Sequence, residues 1–83
     1  WLSEAAKQGH AEAQHYLAIM YADGTGVFKD DVKAYMWNNI ADYNGAERTR
    51  WLKTSLAKGI TSTEITEAQD MSSRCLESNY TDC

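Results

Sequence analysis

Apolar and small residues recur along the chain at helical intervals, and short breaks containing glycine or small polar residues divide them into segments. In "WLSEAAKQG", Trp1, Leu2, Ala5 and Ala6 precede Gly9, the pattern of a helix that closes on glycine. "HAEAQHYLAIMYADG" places Ala13, Leu17, Met20 and Tyr21 at i, i+4, i+7 and i+8, which predicts one buried helix face ending at Gly24. Asp30 is the expected N-cap of a third segment. There Val32, Ala34, Tyr35, Met36, Trp37, Ile40 and Ala41 give a wide apolar surface that stops at Asn44-Gly45. A fourth segment carries Trp51, Leu52 and Leu56 to Gly59. The last opens on Thr61, whose partner Glu64 three positions later predicts a capping box, and continues through Ile65, Ala68, Met71 and Leu76. Connections of a few residues predict that consecutive helices form antiparallel hairpins.

Composition narrows the picture. Eighty-three residues bound a single domain, and the absence of proline suits a mostly helical chain. The net charge of −4 argues against a nucleic-acid backbone or an anionic membrane as partner. No apolar run approaches the roughly 18 residues that would cross a bilayer, so no membrane insertion is expected. The chain begins at Trp1 with what reads as mid-helix, as expected of a fragment or a processed product.

An offset of 36 residues superposes Trp1, Ala5 and Gly9 on Trp37, Ala41 and Gly45, which points to a repeated helical hairpin. Here a resemblance becomes specific. "AEAQHYLAIMYADGTGVFKDDVKAYMWNNIA" resembles the Sel1-like repeat, a relative of the tetratricopeptide repeat. The matching positions are Ala13, Leu17, Ala18, Tyr21, Gly24, Gly26, Val27, Asp30, Lys33, Ala34, Trp37 and Ala41. The resemblance implies an all-α superhelix, or solenoid, of antiparallel hairpins filling residues 1–83. Residues 1–9 would end a preceding repeat and 10–44 would form a full one. Residues 45–83 would hold a degenerate repeat, a capping helix and a tail, as at the C-terminal end of bacterial members. This second unit lacks the Gly-x-Gly turn and has Thr54 where the pattern has a small residue.

The glycine loop invites a chemical reading and fails it. "GTGVFKDD" has neither the third glycine nor the Lys-Ser/Thr pair of a phosphate loop. Counted from Asp23, a calcium loop would need glycine at its sixth residue and glutamate at its twelfth, where Phe28 and Ala34 stand. It reads as a corner, with Val27 tucked beneath and the acidic Asp30-Asp31 pair at the positive end of the next helix. His10 and His15 lie roughly 140° apart around a helix and do not form a zinc pair. Cys75 and Cys83 form no metal or redox motif. Either they are free thiols or the tail folds back to join them, which would imply an oxidising compartment such as a periplasm. Cysteine-bearing tails in exported relatives favour the bond. Trp1 and Trp37 hold the repeat's core position, and no nucleophile–base constellation can be traced.

What remains is the concave face. Residues of the second helix that point off its core stripe are Glu12, His15, Tyr16 and Ile19, with Asp23 at its end; the offset sets Arg48, Trp51 and Ser55 beside them. The expected function is a non-enzymatic module that binds a protein or peptide, without metal or cofactor. The alternatives are a structural end-cap and a β-lactam-related cell-envelope activity reported for some cysteine-rich relatives.

Overall fold

A computed structural model describes residues 2–83, with side chains from Glu4 onward. Trp1, paired with Trp37 by the repeat offset, lies outside the described residues. The described residues form five helices and no strand: α1 (Leu2–Lys7), α2 (Ala11–Asp23), α3 (Asp31–Tyr43), α4 (Thr49–Ala57) and α5 (Ser62–Glu77).

The helix ends follow local chemistry. Asp30 accepts a hydrogen bond from the Lys33 backbone N–H (3.1 Å) and so starts α3. At α5 the capping box closes both ways: Glu64 N–H donates to Thr61 Oγ1 (3.1 Å) and Thr61 N–H donates to Glu64 Oε1 (2.9 Å). The 36-residue offset reappears as backbone geometry. After α1, His10 N–H donates to the Ala5 carbonyl and Gly9 N–H to that of Ala6. After α3, Ala46 donates to Ala41 and Gly45 to Asp42 in the same way. Both are Schellman closures, with Gly9 and Gly45 at φ +88 and +93. A third ends α5, where Asn79 takes the left-handed position (φ 56) and Tyr80 N–H reaches the Cys75 carbonyl at 2.8 Å.

α3 is the centre of the molecule. Ala34 through Asn38, Ile40 and Ala41 are all buried, so this helix is enclosed on most of its circumference. α2, α4 and α5 all pack on it, and α1 packs on α2. Burial of side chains such as Trp37 and Ile40 contributes about 1.5–3 kcal/mol each.

Two sequence expectations shift. On α2 the buried positions are Gln14, Leu17 and Ala18, while Met20 is only half-buried and sits beside Gly26. Gln14 belongs in the core because its amide donates 2.8 Å to the Ala6 carbonyl. Its oxygen accepts from Asn44 Nδ2 at 2.9 Å, so the buried amide is satisfied on both sides. Val27, expected beneath the hairpin, is half-buried beside the loop rather than part of the core cluster.

The second shift concerns α4 and α5, which follow one another but do not close into a hairpin. α4 has one narrow inner stripe (Thr49, Leu52, Leu56), and α5 has another (Ala68, Ser72, Cys75). Both stripes face α3, and α4 and α5 each pack on that helix rather than on one another. The tail does turn back: Cys75 and Cys83 are joined by a disulfide, their Cα atoms 4.6 Å apart. This brings Tyr80 Oη to within 2.9 Å of Asn44 Nδ2, whose two hydrogens serve Tyr80 and Gln14.

Candidate functional site

Three hollows that share Arg48 lie on the open side, two between α2 and the start of α4 and the third on α4 itself. The first, about 310 Å³, is walled by Glu12, His15, Tyr16 and Ile19 of α2 and by Ala46, Glu47 and Arg48 before α4. The second, about 380 Å³, lies between His15, Ile19, Arg48 and Trp51. The third, about 670 Å³, is lined by Arg48, Arg50, Trp51, Thr54, Ser55 and Lys58. Arg48 borders all three. Together they make one groove with an acidic end at Glu12 and Glu47 and a basic end on α4.

Of the residues expected on this face, Glu12, His15, Tyr16, Ile19, Arg48, Trp51 and Ser55 are brought together here. Asp23, at the far end of α2, borders none of the hollows. Ile19 is not a free surface residue: it is partly buried and packs against the core cluster, so it forms the floor between α2 and α4. Trp51, which shares its segment with Leu52 and Leu56, turns outward and is 65% exposed. Tyr16 is 57% exposed, with its ring 6.4 Å from that of His15. His15 Nδ1 is enclosed and has no hydrogen-bond partner among the described residues.

Arg48 is held in a costly shape. Its φ of 68 and ψ of 6 are left-handed values, which cost a residue bearing a β-carbon about 1–2 kcal/mol. The neighbouring residue explains how the shape persists. Thr49 is buried, its carbonyl accepts from Asn38 Nδ2 (2.9 Å), and its hydroxyl donates to Asp42 Oδ1 (2.8 Å). Two anchors on α3 thus fix the first residue of α4 and force the turn onto Arg48. Sequence reasoning missed Asn38, Asp42 and Thr49. The available signal was an amide and a carboxylate one helical turn apart, Asn38 and Asp42, beside the apolar run of α3.

A larger hollow of about 750 Å³ lies elsewhere, in the α2–α3 corner around Gly24, Gly26 and Phe28. Like the hollow beside Trp51 it is open to solvent, but its cations are already engaged. Lys29 Nζ pairs with Asp31 Oδ1 at 2.7 Å, and Lys33 Nζ sits 5.6 Å from the centroid of the Tyr21 ring. The groove between α2 and α4 is therefore the better-equipped surface. Among the described residues, no group of three or more His, Cys, Asp or Glu is gathered to hold a metal ion. No described helix is long and apolar enough to cross a membrane.

Comparison with known proteins agrees with this architecture. The Sel1 repeat family model matches residues 1–10 and 11–37. No curated protein matches the chain.

Proposed function

We propose that the chain is a docking module: residues 1–37 match the Sel1 repeat model, and Sel1 repeats generally mediate protein–protein interaction. The groove between α2 and α4 receives a protein or peptide segment. One observation carries the reading: Tyr16 and Trp51, two large exposed aromatics, flank hollows that meet at Arg48, which forms no ion pair among the described residues. Aromatic and arginine side chains are the ones that dominate binding energy at protein interfaces.

α5 supports a second role. All nine of its exposed positions are polar: Ser62, Thr63, Thr66, Glu67, Gln69, Asp70, Ser73, Arg74 and Glu77. A helix with that outward face shields the stack from solvent and offers no apolar surface to a further repeat. In this reading residues 45–83 hold the docking helix α4 and the capping helix α5.

The test compares capture of partners by the wild-type chain, by the Tyr16→Ala/Trp51→Ala double variant and by Phe28→Ser in the corner. Both aromatics and Phe28 are exposed, so melting temperatures stay close to wild type. Capture lost in the first variant and kept in the second supports the groove. Capture that survives the double variant moves docking to another face.

A further inference from the structure

Positive charge is concentrated on the element that walls the groove. Residues 48–58 hold Arg48, Arg50, Lys53 and Lys58 with no acidic residue, while the rest of the chain has four basic residues against twelve acidic. Among the described residues none of these four forms an ion pair; the two pairs present are Lys29–Asp31 and Arg74–Asp70. Arg48, Arg50 and Lys58 line the broadest of the groove's three hollows together with Trp51. A local positive field on an acidic protein selects an anionic partner at close range.

We propose that the groove takes an acidic peptide segment of a partner protein. Its carboxylates meet Arg48, Arg50 and Lys58, and an apolar or aromatic side chain lies on the Trp51 ring. The inference rests on the reading of the groove as a docking surface and names the chemistry of the occupant. Guanidinium groups grip carboxylates through two parallel hydrogen bonds, and the tryptophan offers a large apolar face beside them. The other end of the groove decides between a peptide and a nucleic acid. Glu12 and Glu47 line the hollow on the far side of Arg48, where a uniformly charged phosphate backbone would be repelled. A peptide can set acidic residues against α4 and neutral or basic ones against Glu12 and Glu47.

Fluorescence anisotropy of the whole chain with labelled probes tests this. The probes are a short Glu-rich peptide with a central Phe, its Lys-rich counterpart, a Gly/Ser peptide with the same Phe, and oligothymidine. The acidic peptide is expected to bind at least about ten-fold more tightly than the others and to weaken as salt rises. Arg48→Gln and Trp51→Ala should each weaken it about five- to ten-fold, while Arg74→Gln on α5 leaves it unchanged. Arg48→Gly separates recognition from backbone shape. Glycine adopts the left-handed turn without cost, so this variant should melt higher than wild type and still bind worse. Unchanged binding in Arg48→Gly, or Lys-peptide or oligothymidine binding as tightly as the acidic probe, would overturn the proposal. Tight, salt-independent binding of the Gly/Ser peptide, lost in Trp51→Ala, would overturn the acidic assignment and leave the docking groove standing. Failure of every probe, with partner capture also insensitive to Tyr16→Ala/Trp51→Ala, would remove both.

Discussion

The α2–α3 hairpin and the α4–α5 segment have similar helix content and are held in opposite ways. The first closes on itself: α2 and α3 pack along their lengths, and their corner is shaped by Gly24, whose N–H caps α2 at 2.7 Å from the Met20 carbonyl. The second is pinned piece by piece onto α3. α4 is tied by Asn38 and Asp42 through Thr49. α5 is tied by the Ser72 hydroxyl, which lies 2.8 Å from the Ala68 carbonyl and 3.1 Å from that of Met36. The tail is fixed by a disulfide and the Asn44–Tyr80 bond. A regular repeat is stabilised by shared apolar area. The α4–α5 segment relies instead on specific polar and covalent attachments, and its lack of a hairpin partner is what leaves α4 an exposed face.

The harshest way to break the comparison is to empty the shared centre. Trp37→Ala should cost about 3–5 kcal/mol, a large part of the stability of so small a domain, and unfold both units together. Urea unfolding followed by circular dichroism should then show one early transition; survival of the α2–α3 half alone would contradict α3 as common support. Next is the covalent pin. Cys83→Ala, or reduction of the wild type, should lower stability by about 2.5 kcal/mol through the loop entropy returned to the unfolded chain. Cys83 is exposed, so no cavity forms, and the variant should be insensitive to added reductant.

Smaller effects sharpen the contrast. Tyr80→Phe should cost about 1 kcal/mol by removing the acceptor of Asn44. In the Cys83→Ala background the cost should shrink towards zero, and a double-mutant cycle measures that coupling. Equal costs in both backgrounds would mean that the disulfide does not position Tyr80. The two glycine connections separate last. Gly45→Ala should destabilise by about 1 kcal/mol although its β-carbon would meet nothing within 4 Å, because its φ is +93. Gly59→Ala, between α4 and α5, meets only ordinary contacts at 3.8 and 3.9 Å without a positive φ, and should stabilise by about 0.4–1 kcal/mol.

Legibility in the sequence followed the range of the interaction. Asp30 as a cap, the Thr61–Glu64 box and the glycine stops at Gly9 and Gly45 depend on neighbours within five residues, and their spacing alone announces them. The residues expected on the open side of α2 could be placed near Arg48 and Trp51 because the 36-residue offset carries one helix onto the next. What was hidden depends on partners far along the chain. Gln14 looks like a surface residue until Ala6 and Asn44 close around its amide. Trp51 and Leu52 are adjacent apolar residues in a short helix, and periodicity does not say which of them turns inward.

By itself the sequence determined that this chain is helical, where its capped helix ends fall, and that the closures at Gly9 and Gly45 repeat at a 36-residue offset, since these are matters of backbone capping and of apolar spacing over a few turns. Only the tertiary structure decided that α5 would leave α4 and settle on α3. That choice goes to whichever long-range surface buries most apolar area. The anchoring of Thr49 by Asn38 and Asp42 of α3 likewise set Arg48 in its left-handed shape and left Trp51 facing the groove. Local propensity carries no record of it, because Thr49 is satisfied only by Asn38 and Asp42, partners on another helix.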